Sequence, residues 1–148
     1  MTDFVKAEQV FLDNPATTID EALEFLSKKA VELGLSDDEA AVLAAFKARE
    51  AMGTTGMQNG FAIPHCKSAA VNDAAIYVVK FAGDVDWESL DGKPIKAAIA
   101  IFAPDGDVHL SLLSQVALAL MDAKFQEKIM ASTDAAEIAA ALNAGLGA

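Results

Sequence analysis

A chain of 148 residues, 53% hydrophobic and only 22% charged, is sized and composed for one packed domain and not for a disordered segment. Its net charge of −11 speaks against nucleic acid, whose phosphates need lysine and arginine to neutralise them, and permits a basic protein partner. The longest apolar runs fall far short of the roughly 18 residues that span a bilayer, charges interrupt the region where a signal peptide would be apolar, and a lone cysteine makes no internal disulfide; a cytoplasmic protein without membrane insertion is expected.

In chain order, "TTIDEALEFLSKKAVELGL" predicts a first helix. Thr18 and Glu21 stand at capping-box spacing, Ile19, Leu23, Leu26, Ala30 and Leu33 recur at helical intervals, and Gly34 is a natural stop. A second box, Ser36 with Glu39, opens a helix ending near Arg49 and Gly53. A glycine-rich turn then leads into "FAIP", a short strand that Pro64 must end or leave at a sheet edge. Ala74–Ala82 and Ile95–Ala103 are β-rich runs bounded by Gly, Asp and Pro. After "PDGDVH" comes a Leu-rich segment long enough for one or two helices, and Asp134 with Glu137 marks the cap of a last one. Two helices, several strands and further helices, with no repeat or linker, predict one α/β or α+β domain over residues 1–148. The near-continuous apolar strands favour a sheet buried on both faces.

Chemistry concentrates at Pro64-His65-Cys66, where an apolar run breaks off and a histidine meets the only cysteine. Adjacent side chains on extended backbone point to opposite sides, so one of the two faces the core. Cys66 is the simpler core residue, and no C-x-x-C or H-x-x-x-H spacing supports a zinc site or any other bound metal. His65 follows a strand and His109, the only other histidine, stands just before a helix; both are ordinary places for structural histidines and also for ligand contacts. From Ala51 to Asn72 there is no carboxylate and Lys67 is the sole charge. A buried turn and strand would exclude charge in this way, and so would a site that receives an anion. If the chemistry is phosphoryl transfer, a neutral imidazole is a competent nucleophile and Arg49, His109, Thr54, Thr55 and the backbone of Gly53–Gly60 are the available donors.

The stretch "REAMGTTGMQNGFAIPHCKS" resembles the IIA (EIIA) domains of the fructose–mannitol, or type-2, family of the bacterial sugar phosphotransferase system (PTS). Arg49 through His65 follows the family pattern R-E-x-x-G-S/T-T-G-x-x-x-G-x-A-I/L-P-H, and "HLSLLSQVALAL" supplies its second hallmark, a histidine opening a Leu-rich helix. The resemblance covers essentially the whole chain and implies a mixed sheet flanked by helices on both faces. It implies that His65 is phosphorylated by phospho-HPr and passes the group to a cysteine of a IIB domain, serving a membrane IIC domain, with no cofactor. His109 and Arg49 match positions that steady the phosphoryl group, and Thr54 is a further phosphate-binding candidate. The ring nitrogen farther from the backbone would carry the group, with the nearer one held by a backbone carbonyl. The alternative within the same chemistry is a nitrogen-PTS-like regulatory IIA protein that signals by phosphorylation state without transport. With no fused IIB or IIC segment, the partners are expected to be separate polypeptides. Met57-Gln58-Asn59 stands where relatives often have a small or aliphatic residue, and Cys66 where a glycine or another small residue is common, which bears on the rim of the site and on the backbone after His65.

Overall fold

The computed structural model describes residues 5–146; the expected domain limits at 1 and 148 lie outside them. The first helix, α1 (Ile19–Glu32), begins where Thr18 accepts the Glu21 N–H on its hydroxyl. The Glu21 carboxylate reaches back one residue farther than a standard box, accepting the Thr17 N–H and hydroxyl. Gly34 ends the helix in the left-handed region at φ 78°. The next helix, α2 (Glu39–Ala51), is capped by Asp38, whose carboxylate accepts the Ala41 N–H, and not by Ser36, whose hydroxyl accepts the Asp38 N–H one turn earlier. Both residue types suit an N-cap; the turn Ser36 builds leaves Asp38 at the helix mouth.

Among the described residues the strands are β1 (Val10–Asn14), β2 (Phe61–Ala62), β3 (His65–Lys67), β4 (Ala75–Val85) and β5 (Ile95–Ala103). They form one mixed sheet in the order β1-β4-β5-β2, with β3 also paired to β5. Only β4 and β5 run antiparallel; β1 is parallel to β4, and β2 and β3 are parallel to β5. β2 and β3 are two pieces of one edge strand interrupted at Ile63-Pro64, as a residue without an N–H requires. The Pro64 carbonyl still accepts the Ile101 N–H at 2.9 Å, so the ladder resumes at once. The strand at Val10–Asn14 has no counterpart in the elements expected from sequence.

Three helices follow: α3 (Gly106–Ala119), α4 (Ala123–Ala131) and α5 (Ala135–Gly145). Asp122 caps α4, and Asp134 caps α5 by accepting the Ala136 and Glu137 N–H groups. Alternation along β5 divides the core in two. Ala98, Ala100 and Phe102 pack with Leu23, Leu26, Val42 and Phe46 of α1 and α2. Ala97, Ile99 and Ile101 pack with Leu112, Val116, Ile129 and Leu142 of α3, α4 and α5. The sheet is therefore covered on both faces, and fully burying each large side chain contributes about 1.5–3 kcal/mol.

Candidate functional site

His65 begins β3 beside Ile101, and Cys66 sits one step on beside Phe102. Because adjacent residues face opposite ways, the pair is split between the two halves of the core. Cys66 is completely buried among the α1–α2 side chains, its thiol 3.8 Å from the Val42 carbonyl oxygen. Burial pushes that thiol up to about 12, so no thiolate forms at neutral pH. His65 turns to the α3 face, where it meets His109 with ring centroids 4.9 Å apart and planes at 62°. A thiol and an imidazole on opposite sides of a sheet share no metal ion and no proton.

His109 does not precede its helix. It lies in the first turn of α3, with its N–H bonded to the Asp105 carbonyl at 3.2 Å. Gly106 and Asp107 are poor helix formers, but a first turn tolerates them because its N–H groups lack helical partners in any case. The result places His109 at the positive end of the α3 dipole, directly over His65.

Both imidazoles are held neutral. His65 is only 5% exposed and its conjugate acid is lowered from 6.5 to about 4, first by burial, then by His109 and by Arg49. His109 is lowered by burial, Lys67 and Arg49. Arg49, in the last turn of α2, is thus close enough to act on both rings, while one guanidinium N–H donates to the Gly53 carbonyl at 2.7 Å. The structure brings His65, His109 and Arg49 into one electrostatic unit.

Thr54 is placed differently. Its hydroxyl donates to the Glu88 carbonyl at 2.5 Å and accepts the Gly56 N–H at 3.0 Å, so its donor is engaged in holding the loop. Among the described residues neither the near nitrogen of His65, Nδ1, nor Nε2 of His109 has a hydrogen-bond partner, and both are enclosed. Among the described residues no backbone carbonyl accepts a hydrogen bond from Nδ1, contrary to what the resemblance implies. Nε2 of His65, unlike Nδ1, is not among the enclosed and unpartnered atoms of the described residues.

The loop between Arg49 and His65 is fixed at each end. Gly56 pairs with Ala62, the Thr55 carbonyl accepts the Ile63 N–H at 3.0 Å, and Met57 N–H bonds to Phe61 at 2.8 Å. Asn59 takes the left-handed conformation at φ 59°, which asparagine tolerates, donating its N–H to Asp91 and its amide to Gln126 of α4. The polar bulk of Met57-Gln58-Asn59 is thereby accommodated at a turn, beside a cavity of about 400 Å³ that Met57, Leu90 and Met121 help to line. Sequence reasoning missed Glu88, which is 34 residues from Thr54 in the chain, and gave no role to Glu50, although it is the E of the family pattern and its carboxylate accepts both donors of Thr55.

Residues 3–145 match the family model described as phosphoenolpyruvate-dependent sugar phosphotransferase system, EIIA 2. The chain is 36% identical over 125 residues to the PTS system fructose-specific EIIA component of Haloferax volcanii, covering 83% of this chain and 81% of that one. It is 33% identical over 140 residues to a nitrogen regulatory protein of Bradyrhizobium diazoefficiens, covering 93% and 91%. Among solved structures, nitrogen regulatory protein IIA-Ntr from Neisseria meningitidis superposes with a TM-score of 0.85 at 27% identity, over 94% of this chain and 96% of that one.

Proposed function

The chain belongs to the EIIA type-2 family of the phosphoenolpyruvate-dependent sugar phosphotransferase system, and on that premise we propose that His65 is its phosphoryl carrier. The observation that carries the assignment is the neutral, largely enclosed His65 ring set against His109 under the influence of Arg49. An imidazole already unprotonated at neutral pH, chiefly through burial, has its attacking lone pair free, and the Arg49 guanidinium that adds to the effect also favours an anion.

In the first step the Nε2 lone pair of His65 forms a bond to the phosphorus carried by phosphohistidine of HPr. The donor's N–P bond breaks and its electron pair returns to the donor ring. In the second step a thiolate of a IIB domain forms an S–P bond while the His65 N–P bond breaks, its electrons returning to the His65 ring. No proton is gained or lost at the reacting nitrogen in either direction. Arg49 offers a planar fork of donors and His109 an N–H, where positioning and charge stabilisation do most of the catalytic work. Thr54 acts at one remove, through the loop it ties to Glu88. The absence of carboxylates from Ala51 to Asn72 fits this role. One carboxylate at about 4 Å would oppose the phosphoryl group by on the order of 4 kcal/mol per unit charge at an effective dielectric near 20.

Exposed apolar side chains stand next to site residues in the chain or on their loop: Met52 beyond α2, Leu110 after His109, and Leu90, whose N–H bonds to the Met57 carbonyl. They suit a protein partner better than a small substrate. No helix among the described residues is long and apolar enough to cross a membrane, so a membrane IIC domain would be served through IIB. The likeness to nitrogen regulatory proteins favours a second reading, in which the same His65 chemistry is a switch read by target proteins without transport.

Incubation with phosphoenolpyruvate, enzyme I and HPr is expected to place one acid-labile phosphoryl group on the wild-type chain and none on His65→Ala. A label that persists in the variant rejects His65. Offering purified IIB domains to the labelled protein separates the readings: discharge identifies a relay, retention with every IIB tested identifies a regulator.

A further inference from the structure

Glu50 is the last carboxylate before the carboxylate-free stretch, and it is not spent on its neighbour Arg49. Its two oxygens take both donors of Thr55: Oε2 accepts the Thr55 N–H at 3.2 Å, and Oε1 accepts the Thr55 hydroxyl in a short contact. Thr55 is buried, and its carbonyl accepts the Ile63 N–H at 3.0 Å, two residues before His65. From the other side, the Ile101 N–H donates to the Pro64 carbonyl at 2.9 Å. The segment Ile63-Pro64-His65 is clamped between β5 and a loop whose charged anchor is Glu50. Among the described residues the ion pairs join Lys29 to Glu32 and Lys96 to Asp84, while Arg49 donates to the Gly53 carbonyl.

We propose that Glu50 is a positioning residue for phosphoryl transfer: through Thr55 it fixes the backbone that presents His65, and by accepting Thr55's donors it leaves the Arg49 guanidinium for phosphoryl oxygens. The proposal rests on the reading of His65 given above. Charge-assisted hydrogen bonds to a carboxylate are shorter and stronger than neutral ones, which suits Glu50 to hold a loop that a neutral acceptor would hold loosely. Displacing a nucleophile by about 1 Å costs up to roughly 10²-fold in rate.

The test uses the full chain with Glu50→Gln, Thr55→Val and Thr55→Ser. Glu50→Gln removes the charge at constant shape, Thr55→Val removes the hydroxyl donor, and Thr55→Ser restores it. Phosphoryl acceptance from phospho-HPr is expected to lose about 10- to 100-fold in kcat in Glu50→Gln and Thr55→Val, with KM for phospho-HPr unchanged and Thr55→Ser close to wild type. In the unphosphorylated proteins, the NMR resonances of the His65 amide and ring should move in the two damaging variants and stay in place in Thr55→Ser. Unmoved His65 resonances, or wild-type kcat in both damaging variants, overturn the proposal. Should Glu50→Gln fail to fold, the same two measurements on Thr55→Val decide between these outcomes. A wild-type chain that takes no label at His65 overturns the carrier reading itself, and the role in transfer with it, whereas a labelled wild type with unimpaired variants overturns only the part given to Glu50.

Discussion

At the scale of single residues, the site depends on two imidazoles kept neutral and a guanidinium that acts on both. His109→Ala should leave phosphoryl acceptance detectable and slow onward transfer by roughly 10²–10³, the usual cost of losing one donor to developing charge. Rapid-quench measurement of discharge to a IIB domain checks this, and an unchanged rate removes His109 from the mechanism. Arg49→Lys should be damaging although the charge is kept, since an ammonium lacks the planar fork that can reach the Gly53 carbonyl and two phosphoryl oxygens in fixed geometry. A lysine variant that transfers at the wild-type rate would leave Arg49 with only its helix-terminal role. The neutral state of His65 also has a cost that pH exposes. With a folded-state value near 4 against an ordinary 6.5, the unfolded chain binds a proton that the folded chain refuses. Stability therefore declines as pH falls from 6.5 toward 4, by on the order of 3 kcal/mol in full. Denaturant unfolding of wild type and His65→Gln across that window should show the glutamine variant free of this component. Parallel curves for the two proteins would mean that the imidazole is not held neutral by its surroundings.

Elements show which parts of the fold were legible before the structure. The helix over Ile19–Glu32, the strand Ile95–Ala103 and the Asp134 cap each carry a local signal, either a periodic apolar face or a side chain next to the N–H groups it serves. Val10–Asn14 carries none. It has five residues, an aspartate at φ 53°, and its strand character comes from parallel pairing with β4 more than sixty positions away. The helical first turn containing His109 was hidden because Gly106 and Asp107 are poor helix formers and read as a turn. The candidate site divides along the same line. His65, Arg49 and His109 were readable from residue type and pattern, whereas the tie from Thr54 to Glu88 is a contact made by folding alone. That tie explains the glycine beside it. A Cβ at Gly56 would stand 2.0 Å from the Glu88 carbonyl oxygen, a backbone atom that cannot rotate away. Gly56→Ala is expected to destabilise the protein by about 1–3 kcal/mol and to slow transfer by pushing the Thr54–Thr55 turn off the 86–89 segment. Calorimetry together with the transfer assay measures both, and an alanine variant of wild-type stability would show that the loop has slack.

For the whole molecule, the sheet sorts chemistry by face, and the net charge governs how partners arrive. Two hydrophobic cores hold β5 from either side, so His65 is presented toward α3 while its neighbour Cys66 is retired into the α1–α2 side. The surface around this frame bears a net −11, yet the chain from Ala51 to Asn72 contributes only Lys67. An approaching phosphoprotein thus meets a negative envelope, to which the exposed Asp107 in the first turn of α3 contributes close to His109. The phosphoryl group, itself near two negative charges, gains nothing from the envelope, so a partner that docks quickly needs basic groups flanking the group it carries. Long-range attraction of that kind is screened within about 8–10 Å at physiological ionic strength. Raising salt from about 50 to 500 mM should therefore lower kcat/KM for transfer from phospho-HPr, on the order of 10-fold for a steered encounter, through KM with kcat unchanged. Stopped-flow transfer at several salt concentrations reads the slope directly. A rate that climbs with salt would mean that the partner's docking face is acidic, and that contact between apolar surfaces such as Met52, Leu90 and Leu110 brings the two proteins together against their charge.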